Sequence, residues 1–223
     1  MPKLPFQNCM KNYFTTACLS ILSAILAAIM PANGLAQPVA TPPYSVATFA
    51  VAPTGLSKPD SVTFSSTNVF VGYGNGGAPD GSGGAMSNII EYDFKGNVIN
   101  NFTVVGHNDG LRFNPIVGFS PNPPFGPNPN PPFSPMGNDL WALQNEDGNA
   151  NLVILDLQTG QQTVYQLGTG PHGGGYDDID FNNSMVYLSA SAPTINPNTA
   201  PAIVSLNLVG GTVLLTGILN GNA

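Results

Sequence analysis

The sequence predicts an all-β protein built from repeated antiparallel strands, and three observations support this prediction. Only 8% of the 223 residues are charged, whereas 26 are glycine and 22 are proline, a composition typical of short strands joined by many turns. One strand pattern, Asp-x-(Val/Leu/Ile)-x-Phe, occurs three times. Each occurrence is followed by three further strand-like runs, and together these four runs predict one antiparallel unit per repeat.

Residues 1–36 precede the repeats and have the pattern of a secretory signal peptide. Lys3 and Lys11 are followed by an apolar run over residues 17–30 and by small side chains up to Ala36. The run is shorter than the about 20 residues that a bilayer-spanning helix needs. We therefore expect cleavage, export to the periplasm or the extracellular space, and no membrane span in the mature chain.

The mature chain is expected to be free of cysteine and strongly acidic. Both cysteines, Cys9 and Cys18, lie within the signal segment, so the mature part cannot form a disulfide. Removing that segment leaves three basic residues against twelve acidic ones. This balance disfavours a nucleic acid or an anionic membrane surface as the partner.

The repeats set the domain boundaries. Four antiparallel strands per unit is the layout of a β-propeller blade, and we expect blades at residues 53–106, 107–170 and 171–223. Residues 37–52 are expected to be a linker, and the strand-like stretch Tyr44–Val51 within it would suit the outer strand of a closing blade.

One irregular spacing predicts an insertion in the second blade. The interval from Phe113 to Phe181 exceeds that from Phe64 to Phe113 by 19 residues, which is the length of the proline- and asparagine-rich stretch 119–137. Prolines cannot donate to a strand ladder. We interpret the stretch as a surface insertion, with a polyproline-type docking loop or lid as the alternative.

The chain ends at a predicted blade boundary. Propellers close with about four to eight blades, so three blades form a partial propeller. We expect either a fragment of a longer protein or two copies that close a six-bladed ring as a homodimer.

Three aspartates are the main candidate site. Asp60, Asp109 and Asp177 occupy the same position of the three repeats, and equivalent positions of successive blades converge on the propeller axis. A carboxylate ring there would suit Ca²⁺ or another divalent cation. The alternative is that each aspartate caps its own turn by accepting from nearby backbone N–H groups.

Two histidines and two loops are further candidates for functional sites. His107 and His172 precede first strands and could act as general bases, and His172 is the predicted acid/base residue. Residues 145–151, rich in side-chain oxygens, lack the EF-hand spacing and are predicted to be a solvated loop. The glycine-rich loop 74–84 lacks the lysine and the following helix of a phosphate-binding loop.

The second repeat carries a resemblance to a known family. The run from His107 to Gly110, then Asn114-Pro115 and Asp139-Leu140-Trp141, resembles six-bladed propellers of the NHL-repeat and gluconolactonase type. The start of the third blade at Gly170-Pro171-His172-Gly173 is similar to blade starts in lyase-type propellers.

The lactonase resemblance implies a divalent cation in the central channel that polarises a lactone carbonyl. It implies a substrate-side role for Asn108 and metal ligation by Asp60, Asp109 and Asp177. The glutamate ligand of that family has no counterpart, since the first glutamate of the chain, Glu91, lies in a third strand.

These observations predict an exported propeller that acts as a binding or scaffold domain for an unidentified small molecule or protein. One alternative is a metal-dependent lactonase, hydrolase or lyase acting on a small ester or sugar acid. The other is a purely structural extracellular or envelope protein.

Overall fold

The computed structural model describes residues 39–114, 138–168, 173–182, 185–191, 201–209 and 212–220. Within these ranges the chain forms twelve β-strands and no helix, so the predicted all-β class is confirmed. No helix of the described part is therefore a candidate for crossing a membrane. The predicted signal peptide 1–36, the insertion 119–137 and His172 lie outside the described residues.

The twelve strands form three antiparallel sheets of four strands, and each sheet is ordered as its strands follow in sequence. The first sheet contains β1 (Pro59–Phe64), β2 (Asn68–Tyr73), β3 (Met86–Asp93) and β4 (Val98–Val105). The second contains β5 (Asn108–Phe113), β6 (Asp139–Gln144), β7 (Ala150–Asp156) and β8 (Gln162–Gly168). The third contains β9 (Tyr176–Asn182), β10 (Met185–Ala190), β11 (Pro201–Val209) and β12 (Thr212–Asn220).

The first strands of the three sheets are neighbours in space. Strand β5 lies against both β1 and β9. The approach of β5 to β9 is close, because a Cβ atom on Gly110 would lie 2.8 Å from the Asp177 carbonyl oxygen. The three sheets therefore face one another in sequence order with their first strands together, an arrangement consistent with blades.

The second sheet supplies side chains to two hydrophobic layers. Because side chains alternate between the faces of a strand, Leu140 and Ala142 of β6 pack toward the first sheet, whereas Trp141 and Leu143 pack toward the third. Every residue of β6 is buried as a result. The layer with the first sheet also contains Phe70, Ile89, Val104, Leu111, Val153 and Leu155.

The outer face of the first sheet is only partly covered. Tyr73, Ile90 and Tyr92 are buried there against Ala50 and Leu56, which come from the segment that leads into β1. Phe64 lies on the same side, because its strand partner Val69 pairs in turn with Tyr92, and it is 71% exposed.

Residues 44–51 form no strand in the described chain, and their role as the outer strand of a closing blade stays a prediction. The chain divides into two compact units at Thr48. In the described part of the first unit, the N–H of Tyr44 donates to the Thr41 carbonyl.

Candidate functional site

The three predicted aspartates occupy the same place in their strands. Asp60, Asp109 and Asp177 are each the second residue of a first strand. Because β5 lies between β1 and β9, this shared register places the three carboxylates at one end of the molecule. The shared site that the sequence predicts for these three aspartates stays a prediction.

A buried histidine–aspartate pair lies at the centre of this end. The Nδ1 atom of His107 is 2.6 Å from Oδ1 of Asp109, and the two residues are only 9% and 6% exposed. The second carboxylate oxygen of Asp109 accepts a hydrogen bond from the backbone N–H of Glu146, at 2.8 Å. Asp109 therefore bonds to a different loop instead of capping its own turn.

That loop, residues 145–149 between β6 and β7, is called the hub loop below because it joins all three sheets. Asn145 exchanges two hydrogen bonds with His107: its N–H donates to the His107 carbonyl, and its Oδ1 accepts the His107 N–H, both at 2.9 Å. The N–H of Asp147 donates to the carbonyl of Pro79, in the loop between β2 and β3 of the first sheet, and the N–H of Gly175, directly before β9 of the third sheet, donates to the Glu146 carbonyl. The backbone of Asn145 has φ of 66°, a left-handed conformation that asparagine tolerates better than most residues.

The hub loop adds a fourth carboxylate, Glu146, to the aspartates. The pKa of Glu146 is raised to about 7, mainly by burial, then by the charge of Asp109, and then by a hydrogen bond with Asp177 and the charge of that residue. Burial likewise raises the pKa of Asp109 to about 7, although the bonded His107 opposes this increase. Glu146 and Asp109 are therefore the groups of this site whose charge changes near neutral pH.

Asp60 completes the cluster from the first sheet. Partial burial raises the pKa of Asp60, the nearby His107 lowers it, and the charge of Asp177 raises it again. Asp60 and Asp177 are exposed, Glu146 is half-buried, and the histidine–aspartate pair is buried. We call this graded set the acidic mouth: Asp60, His107, Asp109, Glu146 and Asp177.

Asn108, the predicted substrate-binding residue, is fully buried and joins the first two sheets. Its Oδ1 accepts from the Ser61 hydroxyl at 2.9 Å, and its Nδ2 donates to the Leu143 carbonyl at 3.3 Å. Its backbone N–H donates to the Ser87 hydroxyl at 2.8 Å. Both polar atoms of the side chain therefore have partners within the protein, and the substrate role stays a prediction.

Two glycines of the first sheet make room for these residues. A Cβ atom on Gly72 would lie 1.5 Å from Oδ1 of Asn108, and one on Gly74 would lie 2.6 Å from Nε2 of His107. A larger residue at either position would collide with a side chain of the second sheet. Gly74 opens the glycine-rich stretch 74–84, whose described role is thus to contact His107 and, through Pro79, the hub loop.

The described residues contain no ready-made cation site. Among the residues that the structure describes, no three histidine, cysteine, aspartate or glutamate side chains are grouped so as to hold a metal ion. Both oxygens of Asp109 already have hydrogen-bond partners. Metal ligation by Asp60, Asp109 and Asp177 stays a prediction.

The sequence signals for this site were uneven. The repeated Asp-x-x-x-Phe pattern indicates the three aspartates, whereas the loop pattern of residues 145–151 predicts only a solvated loop around Glu146. The density of oxygen-bearing side chains in residues 145–151 was the available signal, but it did not show that backbone groups of this loop bond to neighbouring sheets. His172 lies outside the described residues.

Comparison with known proteins does not assign the chain to a family. No family model and no curated protein matches it. Among solved structures, the chain is similar to a mutant of the Synechocystis apocarotenoid oxygenase, with 10% identity and a TM-score of 0.35 over 67% of this chain and 34% of the oxygenase. The chain thus spans about a third of that enzyme's length. It is also similar to the computationally designed Ika4 protein, with 12% identity and a TM-score of 0.29 over 78% of this chain and 99% of that protein.

Proposed function

We propose that this protein is an exported binding domain of the β-propeller type, and that its ligand is a small cationic or hydrogen-bond-donating molecule held at the acidic mouth. The observation that carries the proposal is the convergence of ionisable side chains from all three sheets at one end. Asp60, Asp109 and Asp177 come from the three first strands. Export is supported by the signal-like residues 1–36, and the propeller type by the three sheets in sequence order.

The arrangement favours a ligand with positive charge or several donors. Ionised carboxylates are acceptors without donors, and here the nearest ionisable neighbours of Glu146 are other carboxylates, each of which raises its pKa. A cationic group placed among them relieves this repulsion and favours their charged forms. An anionic ligand would add to the repulsion, so an amine or amino sugar suits the mouth better than a sugar acid.

A thermal-shift measurement tests this function with defined probes: glucosamine, glucose, glucuronate and CaCl₂ at equal ionic strength. We expect glucosamine to raise the melting temperature more than glucose, and glucuronate to have no effect. Glu146→Gln and Asp177→Asn should each remove the glucosamine effect. Asp178→Asn is the matched control, because Asp178 is the next residue of β9 and lines the opposite face of that strand.

Two results would contradict the proposal. Equal shifts with glucosamine and glucuronate would show that charge is not recognised, and an unchanged glucosamine shift in both variants would place binding elsewhere. A shift with CaCl₂ that is lost in Asp177→Asn would favour the metal hypothesis instead.

A second candidate function is general acid–base hydrolysis of a small ester or lactone at the same mouth. The observation in its favour is that Glu146 and Asp109 both have a pKa of about 7, where a group can donate and accept protons efficiently at neutral pH. Glu146 is the more accessible of the two, so it is the candidate acid or base. His107 would then hold the Asp109 carboxylate in place.

Hydrolysis of an aryl acetate and of a sugar lactone, each followed in a pH-controlled assay, tests this candidate. We expect a rate above the buffer rate that changes with an apparent pKa near 7 and falls in Glu146→Gln. The Asp178→Asn control should keep the wild-type rate. A rate equal to that of buffer with both substrates would contradict the enzymatic function and leave the binding function untouched.

A further inference from the structure

The two junctions between sheets use the same aromatic contact. At the first junction the ring of Phe113 stacks on Phe70, with centroids 6.1 Å apart and planes within 4°. At the second, the ring of Phe181 meets Trp141 edge to face, with centroids 5.1 Å apart. In both, a phenylalanine near the end of a first strand packs on an aromatic residue in the second strand of the preceding sheet.

The strand register shows that these positions are equivalent in all three sheets. Phe64, Phe113 and Phe181 pair with Val69, Leu140 and Val186 of their own second strands, respectively. The aromatic residue follows directly after each of these partners. By this rule, Tyr187 is the third-sheet counterpart of Phe70 and Trp141, and Phe64 is the first-sheet counterpart of Phe113 and Phe181.

Phe64 and Tyr187 lie on the two outer faces of the described sheets. Phe64 is 71% exposed, and Val62 beside it is 64% exposed. Tyr187 lines an open cavity of about 400 Å³ on the third sheet. The cavity also contains Ile203, Ser189 and the two carboxylates Asp178 and Asp180.

The polar groups at the equivalent positions differ. At the first junction, the hydroxyl of Thr63 accepts the N–H of Phe113 at 3.1 Å. The third-sheet counterpart of Thr63 is Asp180, which precedes Phe181 as Thr63 precedes Phe64. Oδ1 of Asp180 already accepts the Phe181 N–H and a hydrogen bond from the Arg112 side chain, so the aromatic positions, and not the polar ones, show that the faces are equivalent.

We propose that the cavity on the third sheet receives the first sheet of a second copy of this chain, with Phe64 of one copy packed on Tyr187 of the other. The contact joins two different surfaces of the chain. Successive contacts of this kind must either close into a ring of copies or continue into a filament. Two copies close the ring when each packs its first sheet on the third sheet of the other. The exposed apolar side chains of the first sheet are of the kind that mark a protein–protein surface, and this contact buries them.

The full-length chain tests the proposal by sedimentation velocity over a range of concentrations. We expect a dimer for the wild type and a monomer for both Phe64→Ser and Tyr187→Ala. An equimolar mixture of these two variants should recover part of the dimer, because one of its two junctions has both native residues. Val164→Ser, which removes a 42%-exposed valine of the second sheet, is the control and should remain a dimer.

Crosslinking gives a second measurement that does not depend on weakening the fold. In a chain with Cys9→Ser and Cys18→Ser, the single variants Phe64→Cys and Tyr187→Cys are mixed and treated with a short bis-maleimide. We expect a crosslinked pair from the mixture and none from Phe64→Cys alone. A monomeric wild type, or crosslinking of Phe64→Cys to itself, would overturn the proposal and point to a different occupant of the cavity, such as further sheets of a longer chain.

Discussion

The carboxylate of Asp109 is shared between the His107 imidazole, 2.6 Å from one oxygen, and the Glu146 backbone N–H, 2.8 Å from the other. One buried group thus joins the start of β5 to the hub loop. Its protonation therefore affects both the acidic mouth and the contact between the sheets.

We expect the protein to be less stable at pH 8 than at pH 5. Asp109 has a pKa of about 7 in the fold, raised from 3.8 mainly by burial, so the folded chain binds a proton that the unfolded chain releases. The stability that the protonated Asp109 adds to the fold is fully present below pH 3.8 and is lost as the pH rises through 7. Asp109→Asn should make the melting temperature less dependent on pH between 5 and 8, as followed by circular dichroism.

The exposed Asp178 provides the control, since Asp178→Asn should keep the wild-type slope. A melting temperature that rises from pH 5 to pH 8 would contradict the assigned direction. If the melting temperature of Asp109→Asn depends on pH as strongly as that of the wild type, other groups cause this pH dependence.

Asp139→Asn should stabilise the protein at pH 8 and have little effect at pH 5. Asp139 is 3% exposed and pairs across the sheet with Asp156. Its pKa is raised to about 6, first by burial and then by the charge of Asp156. At pH 8 the buried charge is therefore unfavourable, and we expect a gain on the order of 1 kcal/mol in the free energy of unfolding. Urea titrations at the two pH values measure it; an equal effect at both would argue against a role of ionisation.

Gly72→Ala should destabilise the fold by about 1 to 3 kcal/mol, the range for overpacking. The added methyl group would overlap Oδ1 of Asn108 and displace it from the Ser61 hydroxyl. In the double variant Gly72→Ala with Asn108→Ala, the second change removes the colliding atom. In urea titrations, we expect the double variant to lose less free energy of unfolding than the sum of the two single losses. Strict additivity would mean that the two residues do not interact.

Phe113→Ala should lower the free energy of unfolding by about 2 to 3 kcal/mol, somewhat less than the same change at a fully buried phenylalanine. The ring of Phe113 stacks on Phe70 within the layer between the first two sheets. Phe64→Ala, the same change at the equivalent but exposed position, should alter the stability of the dilute monomer by less than about 0.5 kcal/mol. Similar losses for both variants would contradict the assignment of Phe64 to an open face.

The strand layout was predictable from the sequence because it depends on local alternation. The three Asp-x-x-x-Phe segments form β1, β5 and β9, and three further strands follow each of them, as expected from the repeat. The closing strand suggested for residues 44–51 stays a prediction.

The partners of the site residues could not be predicted, since they depend on how the sheets meet. The sequence shows that Asn108 and Asp109 are adjacent and polar. It does not show that Asn108 is buried against Ser61 and Leu143, or that Asp109 bonds to the hub loop. The same limit applies to Phe64, which has the sequence environment of Phe113 and Phe181 but a different neighbour in space.

The hub loop has a consequence for how the protein unfolds. In repeat proteins each unit contacts mainly its neighbours, and end units can detach alone. Here Asn145, Glu146 and Asp147 bond to the second, third and first sheets, respectively, so detaching either outer sheet breaks bonds to one loop that also supports the other. Loss of one sheet therefore weakens the attachment of the other, and amide hydrogen exchange should show a single cooperative opening of all three sheets.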